Sequence, residues 1–596
     1  MPVIGISVKQ LNTLLGRTLS PETLVETLER LGCDLEGIAQ NVFYSCPKCG
    51  VLAEKLENEE PASRCATCGY ESETPFESAG QDQVIRLDLL PARPDLFDAG
   101  GLARAIKGYL EIETGLPEYA VLPPEIEVTV DARLAQEESY RPFIACAVVT
   151  MPEIDSVMLR TLMKLQESLH WGIGRDRKLS SIGVYDLSTI TPPIRYTAVE
   201  PESMQFHALG KGDALMTPAQ VLKDHPKGVA YAHLLEHLKA YPVLIDSKGQ
   251  VLSMPPIINS DETKVKIGST RLFIDVTGIT PGDVQKALKT LVTSLIEMGG
   301  KAQAVTISDS KGKIVTPDLT PGKISINLPA AERWLGLKFT NEEAKNYLGR
   351  MRFSVKGDAP DYQLGYPAFR TDMKHEVDVF EDLAIAYGYH RMPLPLVQSM
   401  TIGKERPEEK IANVARSIML GLGFDEIFSL VITTQENHFQ KMRCEPGKDH
   451  AIILNPKTAE YNIVRAHLMS GLLEALTKNR IKPLPQRYFE LGNIVLMDET
   501  NYNKAREERH LGFAVMGENM GYAYGRSIVD SAMRELGITG EYQALEHPSF
   551  IQGRAAKVAL SNDLSGWIGE VHPEVLQNFS LTCPVVLGEI ALARVV

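Results

Sequence analysis

The chain has 596 residues, too many for a single hydrophobic core, and its length suggests roughly four domains. Hydrophobic residues make up 44% and charged residues 23%, an ordinary globular balance, and no run of about 18 apolar residues offers a membrane span. Asp and Glu number 76 against 62 Lys and Arg, and the formal charge of −14 excludes an all-over electrostatic grip on nucleic acid. RNA contact is then local. The basic stretches Arg175–Lys178 and Lys478–Arg487 are candidates for it, although such stretches also read as plain solvated surface. The start, MPVIGISVKQ, lacks the basic and apolar regions of a secretory signal, so a cytoplasmic location is expected.

From Ser20 to Leu31 a Ser cap, a Pro at the first helical position and Leu24, Leu28 and Leu31 on one face predict an amphipathic helix. Two matching knuckles come next, Cys46-Pro-Lys-Cys49-Gly50 and Cys65-Ala-Thr-Cys68-Gly69, spaced as in a zinc ribbon. Four thiolates suit a tetrahedral structural zinc and leave no open position for a substrate. A redox pair or a disulfide clip is the alternative, disfavoured by a reducing compartment. Cys33, Cys146, Cys444 and Cys583 are scattered singly and read as small apolar residues. The acidic stretch Glu54–Ser63 reads as a loop projecting from its domain, and Pro117–Pro124 as a linker.

Downstream, apolar runs Tyr241–Ile245 and Gln250–Met254 flank Asp246-Ser247-Lys248-Gly249, a hairpin whose two-residue loop at Lys248-Gly249 pairs Leu244 with Ser253. In Arg271–Thr277, alternation sends Leu272, Ile274 and Val276 to a buried face and Phe273, Asp275 and Thr277 to the other. If Glu376–Gly388 is helical, Asp378, Glu381 and Asp382 share a face, and Asp372 can join them. Such an all-oxygen set suits Mg²⁺, or it is simply a solvated acidic face near a helix amino terminus. Further on, a helix is expected over Ile411–Leu422, with strands over Phe428–Ile432 and Arg487–Leu496.

The block YPVLIDSKGQVLSMPPIINSDETKV, the upstream QESLHWGIGRDRKLSSIGVYDL and the run FRTDMKHEVDVFEDLAIAYG make the chain resemble the β subunit of phenylalanyl-tRNA synthetase of the archaeal and eukaryotic type. The resemblance runs from LGCDLEG near the start to EVHPEVL near the end. It implies a multi-domain α+β chain. Its parts would be an amino-terminal domain (1–118) with a zinc-ribbon-like insertion at about 41–78, an editing domain (119–310), a helical winged-helix-like domain (311–400), and a catalytically inactive class II synthetase-like antiparallel-sheet domain (401–596). In that family the editing domain hydrolyses tyrosine wrongly esterified to tRNA(Phe). An apolar synthetic pocket rejects an isostere with an added hydroxyl by only about a hundredfold, so a second site is needed.

By the resemblance, Leu244, Ser253, Asp275 and Thr277 line the amino-acid pocket, shaped by Pro255, Pro256 and Asn259, with Ser253, Asp275 and Thr277 as the polar contacts. His170, beside Trp171, reads as packed or surface, and no Ser, His and acid trio supports covalent hydrolysis. Arg370, Asp372, Asp378, Glu381 and Asp382 meet the family pattern for magnesium at the border with an α subunit. Arg487-Tyr-Phe-Glu490 keeps the outline of a class II strand motif, and Phe550–Arg554 is the nearest approach to its Arg-bearing partner. ATP is therefore expected on the α subunit, in an α2β2 assembly that takes tRNA(Phe). Two other readings are a structural, tRNA-docking subunit without editing and, family aside, a zinc- and magnesium-dependent nucleic-acid-binding protein.

Overall fold

A computed structural model describes the chain apart from residues 1–2, 49, 66–69, 89, 213, 397–400, 459, 561–564 and 596, and apart from the side chains of 138, 594 and 595. Two compact units emerge, Met1–Pro395 and Leu396–Val596.

The first unit opens with an antiparallel sheet in the order Val3–Ser7, Glu77–Asp88, Asp34–Ser45, Leu52–Leu56. The expected helix is Pro21–Arg30: the Ser20 hydroxyl accepts the Thr23 N–H at 3.2 Å, and Leu24 and Leu28 are fully buried. The acidic stretch from Glu54, expected to project as a loop, instead starts inside this sheet. Leu52–Leu56 pairs with the Asp34–Ser45 strand, and Glu54 takes ion pairs from Lys164 (2.5 Å) and Arg160 (3.4 Å).

A second, ten-stranded sheet carries Arg271–Gly278 between Phe143–Thr150 and Ser180–Asp186, antiparallel to both. Leu272, Ile274 and Val276 pack into the core shared with the Ser156–Gly172 and Pro281–Glu297 helices, while Phe273 enters a separate core on the opposite face. Alternation therefore sorts the residues correctly, but both faces are buried, because each face is covered by a core of its own. The stretch Pro117–Pro124, expected as a linker, already contains the start of strand Val121–Val130, which pairs in parallel with Lys301–Asp309.

Leu244 does pair with Ser253, but through a different loop. Asp246 N–H bonds to the Gln250 carbonyl across three residues, Gly249 takes φ 84°, and a register shift after Leu244 restores the pairing. That is the three-residue loop in which glycine supplies the left-handed position. Gly322–Asn327, Asp361–Tyr366 and Ser354–Lys356 then form a small antiparallel sheet beside the helices Leu328–Leu335, Asn341–Arg350 and Glu376–Tyr387, which supply most of the regular structure of this stretch.

In the second unit a seven-stranded sheet centres on Gln486–Met497, Ala505–Met516 and Val585–Val595. Its pairings are antiparallel except where Asp425–Glu426 joins Gln486–Met497. The expected helix is Pro407–Gly421. The expected strand over Phe428–Ile432 is absent: among the described residues only Ile432–Thr433 pairs there, with Ile463–Val464, and Phe428 stays 80% exposed. An apolar run signals a strand only if something covers it. Among the described residues no helix is long and apolar enough to cross a membrane.

Candidate active site

The ten-stranded sheet curls until side chains of its outer strands meet. The Tyr185 hydroxyl, from Ser180–Asp186, lies 2.7 Å from Ser253 Oγ in Val251–Met254 and 2.5 Å from Asp275 Oδ1 in the neighbouring Arg271–Gly278 strand. The Tyr185 hydroxyl is placed to donate to either oxygen, and its one proton serves one of them at a time. The fit depends on Gly183, opposite Asp275 in the ladder, since a Cβ there would collide with both Tyr185 Oη and Asp275 Oδ1.

Asp275 is 1% exposed. Burial pushes its carboxyl up to about 7, against the opposing pull of the Tyr185 hydrogen bond and the Arg141 charge. Burial likewise drives Tyr185 well above its ordinary range, so it remains a phenol. Ser253 and Asp275 open onto a cavity of about 760 Å³, with Pro255, Pro256 and Asn259 forming part of its wall. Leu244 and Thr277, expected in the pocket, are fully buried behind it. Thr277 acts one step removed: Arg141 donates from Nε to its hydroxyl (3.1 Å) and from Nη2 to the cavity-lining Ser181 (3.0 Å). Desolvation lowers the Arg141 guanidinium to about 10.

The opposite wall comes from the Ser156–Gly172 helix, which presents Gln166, Glu167 and His170. The Ile182 N–H donates to His170 Nε2 at 2.8 Å, so the ring carries its proton on Nδ1, 3.5 Å from Glu167. Burial lowers the His170 pKa, and the residue is packed, as the sequence suggested. Arg175, Asp176 and Arg177 take φ of 45°, 56° and 65° in succession. For non-glycine residues this costs roughly 1–2 kcal/mol each. The turn directs Arg177 inward, where it bonds Glu167 (2.7 Å) and the Ile257 carbonyl (3.0 Å). Of Arg175–Lys178 only Arg177 turns inward to hold the wall, its three neighbours staying exposed, and Lys478–Arg487 is largely exposed too.

Tyr185, Gly183, Arg141, Glu167 and Arg177 were not singled out as site residues by the sequence. Tyr185 and Gly183 share a face of a strand inside the quoted block SSIGVYDL, so alternation alone offered a signal.

The four acids divide. Glu376–Tyr387 is helical, but Asp372 and Asp382 both face the buried Arg370, at 2.7 and 2.8 Å. The Asp382 contact lies off the N–H line, an ion pair and not a directed hydrogen bond, and leaves Oδ2 without one. Asp378 accepts the Lys374 and His375 N–H groups, both at 2.7 Å, and Glu381 is exposed. Cys46 and Cys65 are buried beside Ala62 and Phe76, whereas Cys49 and Cys68 lie outside the described residues. Both knuckles close alike, Cys46 N–H to the Val51 carbonyl and Cys65 N–H to that of Tyr70, with Gly50 at φ 70°.

In the second unit Glu490 is buried and receives Arg465 and Ser429, both at 2.6 Å, while Arg487 lies over the Tyr524 ring and Arg554 pairs with Glu570. Among the described residues nothing there resembles a phosphate grip.

Comparisons with known proteins place the chain among aminoacyl-tRNA synthetase subunits. The family model of the tRNA synthetase B5 domain matches residues 324–389, and that of the phenylalanyl tRNA synthetase beta chain CLM domain matches residues 393–592. Phenylalanine–tRNA ligase beta subunits of Methanococcoides burtonii and Archaeoglobus fulgidus are 38% and 34% identical, over 86% and 100% of this chain and 93% and 98% of theirs. An N-terminal fragment of the phenylalanyl-tRNA synthetase β subunit from Pyrococcus horikoshii superposes with a TM-score of 0.56 at 34% identity, covering 65% of this chain and 99% of the fragment. The chain belongs to the family of phenylalanine–tRNA ligase β subunits.

Proposed function

We propose that this chain hydrolyses Tyr-tRNA(Phe) in the 760 Å³ cavity, while a separate α subunit binds ATP and attaches phenylalanine to tRNA(Phe) within an α2β2 assembly in the cytoplasm. The observation carrying this reading is the buried Ser253–Tyr185–Asp275 chain at the inner end of an otherwise largely apolar pocket. A tyrosyl group that enters side chain first meets, with its phenol, a carboxylate already strained by desolvation. A phenylalanyl group leaves that carboxylate with Tyr185 as its single hydroxyl partner. Sites built to bond a hydroxyl reject the analogue lacking it far more strongly than apolar pockets reject an added one. Arg141, through Thr277 and Ser181, fixes the strand that presents Asp275. A Tyr-tRNA(Phe) deacylation assay on the α/β complex tests this. Wild type is expected to deacylate, and Asp275→Ala to lose about a hundredfold or more in kcat/KM. Thr277→Ala should lose less, and unchanged rates in both variants would remove the site.

The apolar stretch at Phe428 and Leu430, 80% and 63% exposed, supports docking of the α subunit on the second unit. It fits equally an assembly-only subunit, which an intact complex devoid of deacylation would favour.

The magnesium expected on Asp372, Asp378, Glu381 and Asp382 does not fit the residues present, because among the described residues these acids do not gather into a metal-holding group and the Arg370 guanidinium stands between Asp372 and Asp382. Zinc on Cys46, Cys49, Cys65 and Cys68 fits the paired knuckle turns and would hold the hairpin tip together.

A further inference from the structure

The cavity has a lining segment from far outside the ten-stranded sheet and its helices. Arg64 and Cys65, at the tip of the cysteine hairpin, stand on its wall beside Met163, Gln166 and Lys211. The hairpin is fastened there. Glu54 at its base is held by Lys164 (2.5 Å) and Arg160 (3.4 Å), both on the same Ser156–Gly172 helix that supplies Gln166 and His170 to the cavity, and the Arg160 guanidinium lies 4.2 Å over the Phe43 ring. Arg64 itself emerges from a short ladder, bridged to Glu71, with the Ser72 N–H bonded to the Ser63 carbonyl at 2.9 Å.

The charge is equally local. Among the described residues Arg64 and Lys211 make no ion pair, Glu71 included, and Lys227 adds a third cation whose 3.4 Å contact with Glu167 is shared with Arg177. In a chain of formal charge −14, unpaired cations converging on a cavity rim mark an anionic ligand. The inner end takes the aminoacyl group, so the rim faces the nucleotide chain to which that group is esterified. A phosphodiester is singly charged at neutral pH, and two of its oxygens match the guanidinium fork.

We propose that the hairpin tip is the tRNA-facing wall of the cavity and that Arg64 binds a phosphodiester between the last nucleotides of the esterified tRNA, with Lys211 and Lys227 flanking it. This rests on the hydrolytic reading above. Arg64 is a binding residue, and the hairpin gives the cysteine knuckles a purpose: they hold a substrate contact in place.

The test is steady-state deacylation by the α/β complex of Tyr-tRNA(Phe) and of tyrosine esterified to adenosine alone, which has no phosphodiester. Arg64→Ala should raise KM for the tRNA ester about tenfold with kcat within about twofold, and flatten the salt dependence of kcat/KM by about one unit of log–log slope. Arg64→Lys should restore most of the loss, and the adenosine ester should be hydrolysed equally by all three proteins. Unaltered KM and salt slope in an active complex would overturn the inference and leave the hydrolytic reading standing. So would an equal fall in kcat on both substrates, which would make the hairpin a support only. A wild-type complex that hydrolyses neither ester would remove the reading and the inference together.

Discussion

One buried carboxylate in each unit is held in the opposite way to the other. In the second, Glu490 is closed off by Arg465 and Ser429, and His510 sits between Glu508 (3.0 Å) and Glu589 (2.7 Å), whose other oxygen takes the Leu468 N–H at 2.9 Å. Burial alone would depress His510, but the hydrogen bonds to the two glutamates outweigh it and raise the pKa to about 9. In the first, Asp275 has a single hydroxyl partner and a guanidinium at a distance, and faces a cavity. A buried charge answered on all sides is architecture, and one left partly unanswered beside open space is a site awaiting a ligand. The seven-stranded sheet thus closes Glu490 into its structure, while the curled sheet leaves Asp275 facing open space.

The largest effect separating the two regions is expected from Arg465→Ala, which strands the buried Glu490. Hydrogen exchange on the full chain should show the second unit losing about 3–5 kcal/mol, with cavity strands unaffected. Asp275→Asn is expected to do the reverse, slowing deacylation of Tyr-tRNA(Phe) strongly without unfolding. Because Asp275 is raised to about 7 in the folded chain, the protonated form is favoured by folding. Stability is therefore full below about pH 4 and falls by up to about 4 kcal/mol as pH rises to about 7, and the Asn variant should lack that slope in a Tm–pH series.

His510 should show the same sign in a later window, full stabilisation below about pH 6.5 and loss of up to about 3 kcal/mol by about pH 9, abolished in His510→Gln. The smallest effect belongs to Arg554→Ala. Its pair with Glu570 is more than half exposed on the Arg side, and phenylalanylation by the complex should stay within about twofold. A large loss there would restore that segment to the chemistry.

Much of this contrast is legible in local pattern. The Ser20 cap, the Leu244–Ser253 pairing and the shared side of Asp275 and Thr277 come from capping, turn chemistry and a period of two, which act over a few residues. The partners that give those residues meaning do not. Tyr185 reaches Ser253 only because the sheet curls, and the strand order behind that curl jumps across the sequence. Arg177 reads as surface in the sequence because nothing local announces three left-handed residues in a row. The acidic spacing is legible, but Arg370 dividing Asp372 and Asp382 from Asp378 and Glu381 is not, since charge spacing fixes a helix face and not what packs against it. Phe428–Ile432 misleads for the same reason, its apolar residues being exposed instead of paired.

The central claim, that Asp275 reads the hydroxyl of tyrosine, is tested most directly by comparing hydrolysis of Tyr-tRNA(Phe) and Phe-tRNA(Phe) by the α/β complex carrying wild-type chain or Asp275→Asn. The expected result is a wild-type preference for the tyrosyl ester of about a hundredfold or more that falls by at least about tenfold in the variant. A preference that survives the substitution intact would contradict it.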